Sequence, residues 1–131
     1  ITDSHGLPIA VHLAGASPHE FTLVDATMER IPRGFHLKRL IADRAYDSDG
    51  LRLDLALTYG TELICPHRRK RKRKPLQDGR ALRRYSRRWK VERLFSWLQN
   101  YRRVQVRYDR FIQHFEGFVL LASSLILFRH L

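Results

Sequence analysis

Residues 37–66 contain the stretch LKRLIADRAYDSDGLRLDLALTYGTELICP, in which two short apolar runs flank a segment of helical character. The runs at 37–42 and 62–65 have the length and the Ile and Leu content of buried strands. Between them, DSDG at 47–50 predicts a helix start, and Gly60 predicts its end. A strand, a helix and a strand in succession predict an α/β fold with an at least partly parallel sheet and a right-handed crossover.

The residues before this stretch predict a turn, a strand and a helix. The sequence DSHG at 3–6 is typical of a turn, and residues 7–14 alternate in polarity and are rich in Ile, Val and Leu. Ser17 followed by Pro18 predicts a helix that starts there and continues to about Arg30.

The residues after it are dominated by positive charge and then by two helical patterns. Residues 68–74, RRKRKRK, are seven consecutive basic side chains, hereafter the basic tract, and they predict a solvated loop because they repel one another. Residues 81–101 predict one long helix, and residues 111–130 predict a last helix, apolar nearly all round, that should lie in a buried layer or interface. The buried stripe predicted for the long helix comprises Val91, Leu94, Phe95, Leu98 and Tyr101.

Composition places the chain among globular proteins of the cytoplasm. Its 131 residues, 44% of them hydrophobic, suffice for a single domain with a core over residues 1–131. The single cysteine, Cys65, excludes an internal disulfide, and a buried strand cysteine is favoured over a metal pair with His67. The longest apolar run, at 118–128, is shorter than the roughly 20 residues that a membrane span requires.

The positive charge is concentrated in one segment. Residues 68–103 hold 16 of the 25 Lys and Arg side chains and only two acids, Asp78 and Glu92, so this segment carries +14 while the whole chain carries +12. Such a field indicates a polyanionic partner, above all nucleic acid. A carboxylate inside it is unexpected, and a metal ion that needs an anionic ligand beside phosphate would explain Glu92.

Each candidate carboxylate also has a simpler interpretation. Asp43 follows the first strand of the opening stretch, at the strand end where α/β sheets bind ligands, but a loop Asp there often makes only an Asx turn. Glu92 could pair with Arg88 one helical turn earlier, an exposed contact that contributes about 0.3–0.5 kcal/mol. The distance between the two carboxylates would separate these interpretations from a shared metal site.

Several of these motifs together resemble a known family. The stretches DSHGLP at 3–8, ADRAYDS at 42–48 and RWKVERLFSWL at 88–98 resemble the bacterial insertion-sequence transposases of the DDE type. The residues YRR at 101–103 and RY at 107–108 fit the same pattern, so the resemblance covers nearly the whole chain in order and in spacing.

The resemblance implies a ribonuclease-H-like catalytic core, a mixed sheet flanked by helices. In that family two Asp and one Glu bind two divalent metal ions, Mg²⁺ or Mn²⁺, for the attack of water or a 3′-hydroxyl on a DNA phosphodiester. By this resemblance Asp43 is the second Asp and Glu92 is the Glu. The DNA contacts it implies, with those expected of the basic tract in the loop 67–80, are Tyr85, Arg88, Lys90, Arg102, Arg103, Arg68, Arg69, Lys70, Arg71, Lys72, Arg73 and Lys74.

Two features depart from the family pattern. Gln99 stands where the family often has Lys or Arg, and the family's first catalytic Asp normally lies on a strand before the Asp3 turn. The chain is therefore expected to be the carboxyl-terminal part of a transposase catalytic domain, missing the first strand and inactive alone. The unpaired edge of the strand at 7–14 would favour self-association into a homo-oligomer.

Two other functions stay open from the sequence. The chain could be a basic nucleic-acid-binding module without chemistry, or a ribonuclease-H-like nuclease of another substrate class. The expected partners are transposon ends and target DNA, in the bacterial cytoplasm and close to the nucleoid, with no membrane involved.

Overall fold

The computed structural model describes residues 1–15, 17–69, 71–72, 74 and 79–130, and its helices and strands are mostly short. The α-helices are α1 Val24–Met28, α2 Asp49–Tyr59, α3 Gly79–Leu82, α4 Trp89–Gln99, α5 Arg102–Gln105 and α6 Ile112–Phe128. The strands are β1 Arg39–Ile41 and β2 Glu62–Ile64, and 3₁₀ helices cover Glu20–Leu23, Arg44–Tyr46 and Arg83–Arg88.

The chain divides into two compact units. The first unit comprises Ile1–Pro18, Asp25–Pro32 and Trp89–Leu131, and the second unit comprises His19–Val24 and Arg33–Arg88. Whether the 131 residues act as one domain, as the sequence predicts, stays a prediction.

The second unit is built on the strand–helix–strand of the opening stretch. Strands β1 and β2 pair in parallel, with Leu40 opposite Leu63, which confirms the predicted α/β class. Ser48 caps helix α2 by accepting the Leu51 N–H at 3.4 Å. Gly60 ends α2 in the left-handed region at φ 64°, which glycine adopts without the steric cost of a Cβ.

The first unit opens with the predicted turn but without the predicted strand. The Asp3 carboxylate accepts the N–H groups of His5 and Leu7 at 2.7 and 2.8 Å, which fixes the turn. Beyond it, the strand predicted at 7–14 is reduced to one antiparallel bridge between Thr2 and Pro8. A strand exists only through pairing, and no described segment forms a ladder along 9–14.

The helix predicted from Ser17 is shorter and begins later. Glu20–Leu23 forms a 3₁₀ turn that continues into α1, and its N-cap is His19, in an extended conformation and without a side-chain hydrogen bond. The capping prediction for Ser17 is therefore wrong. Val24 and Met28 are buried, whereas Phe21 of the 3₁₀ turn is 41% exposed.

The long helix predicted over 81–101 is interrupted by the 3₁₀ helix Arg83–Arg88. In a continuous α-helix, Arg83 and Arg84 would each have a like charge four residues on, at Arg87 and Arg88, which is unfavourable. In addition, Ser86 Oγ donates to the Arg83 carbonyl at 2.8 Å, an interaction that competes with α-helical bonding.

Helices α4, α5 and α6 pack together around the core of the first unit. Leu94 and Leu98 of α4 are buried against Ala122 and Ile126 of α6. Phe95, predicted in the buried stripe, is 57% exposed, because it lies away from the side of α4 that carries Leu94 and Leu98. The partly buried side chains that complete this cluster are Leu7, Trp97, Tyr101 and Val104.

Helix α6 buries one side only. Val119, Ala122, Ser123 and Ile126 are buried, as expected of an apolar helix. The described residues cover this side alone, since Leu120, Leu121, Leu125 and Phe128 are exposed. Whether the exposed side lies in an interface stays a prediction. None of the described helices combines the length and apolar character that crossing a membrane requires.

Candidate functional site

Asp43 lies directly beyond β1, at the carboxyl end of the parallel pair. The ladder continues one residue past β1, because the Ala42 N–H donates to the Ile64 carbonyl at 3.0 Å. Asp43 then caps the 3₁₀ helix Arg44–Tyr46, with its Oδ1 accepting the Ala45 N–H at 2.7 Å. The Asx turn is therefore present, and it holds a half-buried carboxylate at the edge of the sheet where ligands bind in open α/β folds.

Tyr46 ties this turn to the 3₁₀ helix Glu20–Leu23. Burial, the charges of Glu20 and Asp43, and a hydrogen bond to Glu20 together raise the pKa of Tyr46 to about 12, and burial has the largest effect. The phenol therefore stays protonated at neutral pH and donates to the Glu20 carboxylate.

Asp47 is the centre of a charge network that the sequence analysis did not identify. Its side chain is only 2% exposed. Oδ2 accepts the backbone N–H of Arg68 at 2.9 Å, while Oδ1 contacts His67 Nδ1 at 2.9 Å. Guanidinium groups of Arg52 and Arg71 approach Oδ1 at 3.2 and 3.3 Å. The available signal was an acid of the DRAYDS motif, followed 20 to 24 residues later by a dense group of cations.

These contacts decide the charge of Asp47. Burial would raise the pKa of this carboxyl, but hydrogen bonds from the Arg68 backbone, His67 and Arg52 outweigh it and lower the pKa to about 2. Asp47 is therefore ionised throughout the neutral range, and its hydrogen bonds are charge-assisted.

The same network holds the first residues of the basic tract. Arg71, whose side chain is 12% exposed, also binds Asp49 Oδ1 at 2.7 Å, and Arg68 Nη2 donates to the Ala45 carbonyl at 2.8 Å. Arg71 is thus directed toward carboxylates of its own chain. The described tract residues whose side chains are exposed are Arg68, Arg69, Lys72 and Lys74; Lys70 and Arg73 lie outside the described residues.

Cys65 is buried, as predicted, but it follows β2 and does not lie in the strand. It is 0% exposed, and Arg52 Nη2 lies 2.9 Å from its Sγ. Burial raises the pKa of the Cys65 thiol, so it stays protonated at neutral pH. The alternative metal pair with His67 has no support, because His67 is directed to Asp47.

Tyr85 and Arg88 face the same side of their 3₁₀ helix. The Arg88 guanidinium carbon lies 5.9 Å from the centre of the Tyr85 ring. Three residues make one turn of a 3₁₀ helix, so this pairing survives the loss of the predicted α-helix.

Glu92 is an exposed residue in the first turn of α4. Its neighbours on this helix bind the Asp3 turn: Lys90 donates to the Ser4 carbonyl and Arg93 to the His5 carbonyl. Arg93 also lies between two indole rings, 4.9 Å from Trp89 and 4.8 Å from Trp97. Lys90, predicted to contact DNA, thus has a partner within the first unit.

Arg102 and Arg103 are exposed on α5. The Arg103 guanidinium lies 5.1 Å from the Phe118 ring and 5.8 Å from the Tyr108 ring. Its planar face is thereby used for packing.

Asp43 belongs to the second unit and Glu92 to the first, so their approach stays a prediction. Among the described residues, no three His, Cys, Asp or Glu side chains form a group that could hold a metal ion.

Comparison with known proteins gives a consistent result. The family model described as Transposase DDE domain matches residues 1–127. The chain is 34% identical over 134 aligned positions to a protein of Burkholderia cepacia named as a transposase for insertion sequence element IS402, covering 96% of this chain and 59% of that relative. It is 28% identical to a protein of Brucella ovis named as a transposase for insertion sequence element IS6501, covering 98% of this chain and 95% of that relative. No solved structure matches.

Proposed function

The chain belongs to the Transposase DDE domain family of bacterial insertion sequences, and from this premise we propose that it binds DNA and acts in metal-dependent strand cleavage and transfer. The observation that carries this proposal is Asp43, a carboxylate held at the carboxyl end of β1 within the family-matched segment. A phosphoryl transferase needs such fixed carboxylates because its chemistry depends on positioning and charge neutralisation.

Asp43 and Glu92 have the ligand chemistry of a Mg²⁺ or Mn²⁺ site. Carboxylate oxygens are the preferred ligands of these hard cations. The Ala45 N–H fixes the orientation of the Asp43 carboxylate through Oδ1. When bound, two such ions would neutralise the phosphate and activate the attacking oxygen. The residues we assign to hold them are Asp43 and Glu92.

Exposed cations, with the half-buried pair Tyr85 and Arg88, supply the DNA contacts in this proposal. Residues 68–103 carry a net +14, which raises the local concentration of a polyanion and releases counterions when phosphates bind. Arg71 and Lys90 contribute less, because both are half-buried and engaged within the chain. Arg68 also donates to the Ala45 carbonyl, but its side chain stays exposed. The side chains we assign to phosphate are Arg68, Arg69, Lys72, Lys74, Tyr85, Arg88, Arg102 and Arg103, together with Lys70 and Arg73.

The parallel β1–β2 pair joined by α2 supports assignment to a ribonuclease-H-like fold. In that fold the family uses a third carboxylate, on a strand before the Asp3 turn. We therefore expect a polypeptide limited to residues 1–131 to bind DNA without cutting it. The partners we propose are transposon ends and target DNA of the bacterial nucleoid, bound by more than one copy of the chain.

The test is a plasmid-nicking and strand-transfer assay with Mg²⁺ and Mn²⁺. A chain extended at its amino end by a strand that carries the third carboxylate is compared with residues 1–131. We expect cleavage by the former, its loss in Asp43→Asn and in Glu92→Gln, and normal cleavage in Asp54→Asn. Asp54 is a matched control, because it lies exposed on α2 and contacts Thr58. Cleavage that persists in Asp43→Asn would reject the assigned role of Asp43.

A further inference from the structure

The contacts of Asp47 join the basic tract to the turn that contains Asp43. Two residues after Asp43, the Ala45 carbonyl accepts Arg68 Nη2 at 2.8 Å. Two residues further, Asp47 accepts the Arg68 N–H at 2.9 Å and pairs with Arg71 at 3.3 Å. All of these residues belong to the second unit, so the start of the tract is attached to the carboxyl end of the β1–β2 pair.

We propose that Asp47 is a positioning residue, which fixes Arg68 and Arg71 beside the Asp43 turn and so presents the exposed cations Arg69 and Lys72 to DNA. This inference rests on the proposed function in assuming that the tract binds DNA. Asp47 itself touches neither DNA nor metal in this role. It acts through Arg68 and Arg71.

The geometry favours positioning over a purely electrostatic role. A bond to the backbone N–H of Arg68 restrains the main chain, whereas a bond to a long side chain alone would leave the main chain free. The carboxylate is 2% exposed, so water competes little for it. Charge-assisted hydrogen bonds of this kind are roughly twice as strong as neutral ones.

Arg71 provides the second part of the argument. It is the described tract residue that points inward, 12% exposed and shared between Asp47 and Asp49. Its neighbours Arg69 and Lys72 are exposed. Arg71 therefore attaches the tract to Asp47 and Asp49, while the side chains of Arg69 and Lys72 stay available to phosphate.

Two measurements distinguish this role from general stabilisation. The first is the mobility of a nitroxide spin label on Arg69→Cys, in the absence of DNA. Cys65 is fully buried, so it should take up little label. The same labelling of the parent chain, without the new cysteine, measures this background. We expect the label to move distinctly faster in Asp47→Asn than in Asp54→Asn, while circular dichroism stays unchanged.

The second measurement is DNA affinity as a function of salt. Asp47→Asn and Asp54→Asn gain the same unit of charge, so a difference between them is not a net-charge effect. We expect affinity roughly tenfold weaker in Asp47→Asn, since ordering several free side chains on binding costs affinity. The log–log salt slope should be the same in both variants, because the number of phosphate contacts is unchanged.

The outcomes are separable. Equal label mobility in the two variants overturns the proposal, and so does equal DNA affinity. If no variant binds DNA, the proposed function fails, and label mobility still shows whether Asp47 fixes the tract. If Asp47→Asn does not fold, Asp49→Asn removes only the outer, 25% exposed partner of Arg71 and should give smaller changes in the same direction.

Discussion

At the scale of single residues, the carboxylate of Asp47 binds several of the cationic side chains around it. Asp47 is buried, ionised and contacted by Arg52, His67, Arg68 and Arg71. Removing one partner of a buried pair is costly because the other charge is left without compensation. The network therefore makes the stability of the second unit depend on the ionisation of a single carboxyl.

This dependence predicts a specific response to acid. The pKa of Asp47 is lowered from 3.8 to about 2 in the folded chain. The stabilisation is therefore fully present above the unfolded value and is lost as pH falls through the folded value. At about 1.36 kcal/mol per unit, wild type should lose roughly 2 kcal/mol more than Asp47→Asn between pH 6 and pH 2. Urea unfolding of both proteins at both pH values measures this, and equal losses would contradict it.

At the scale of elements, the Asp3 turn and helix α4 form a joint structure. Lys90 and Arg93 donate to the carbonyls of Ser4 and His5, on either side of Glu92 in sequence. The orientation of α4 within the first unit thus depends on the shape of a six-residue segment at the start of the chain. The turn in turn depends on Gly6, which has φ +84°.

Replacement of Gly6 by Ala should destabilise the first unit. The new Cβ would lie 2.9 Å from Arg93 Nη2 and 3.2 Å from the Lys90 carbonyl oxygen, in a backbone conformation that disfavours a side chain. We expect the free energy of unfolding to fall by about 1–3 kcal/mol. Gly15→Ala is the control, since nothing lies within 4 Å of its Cβ position. Thermal unfolding that is equal in the two variants would show that the turn does not support α4.

The elements that could be predicted from sequence are those with local signals. The stretch DSDG at 47–50, Gly60 and the apolar runs on either side predicted β1, α2 and β2, because helix caps and strand patterns depend on residues that are adjacent in sequence. The break at Arg83–Arg88 and the Asp47 network were missed. Their causes are like charges across a helical turn and contacts between residues 20 to 24 positions apart, which periodicity does not register.

At the scale of the whole molecule, charge is divided very unevenly. Residues 68–103 carry +14 and the remaining residues together carry −2. The family, the positive charge of residues 68–103 and the position of Asp43 after β1 were all predictable from the sequence. The sequence did not show that Arg71 binds carboxylates of its own chain or that Lys90 binds the Ser4 carbonyl, because these contacts form only in the folded chain.

The uneven charge predicts a steep salt dependence of DNA binding. Each phosphate contact contributes about −0.9 to the slope of log affinity against log salt. Changing Arg68, Arg69, Lys72 and Lys74 to Gln should therefore reduce the slope by about 3 to 4. Changing Arg33 and Lys38, which are exposed but outside the segment, should alter it little. Fluorescence anisotropy at several salt concentrations measures both, and similar slopes in the two variants would contradict the assignment.

The hydrogen bond between Asp47 and the Arg68 N–H also affects proteolysis. Seven consecutive basic residues offer a trypsin-like protease many peptide bonds, but a protease binds its substrate as an extended strand. Cutting after Arg68 requires that the bond to Asp47 first break, so this cut reports local unfolding. The rate of cutting after Arg68 should therefore measure how often the bond between Asp47 and the Arg68 N–H opens.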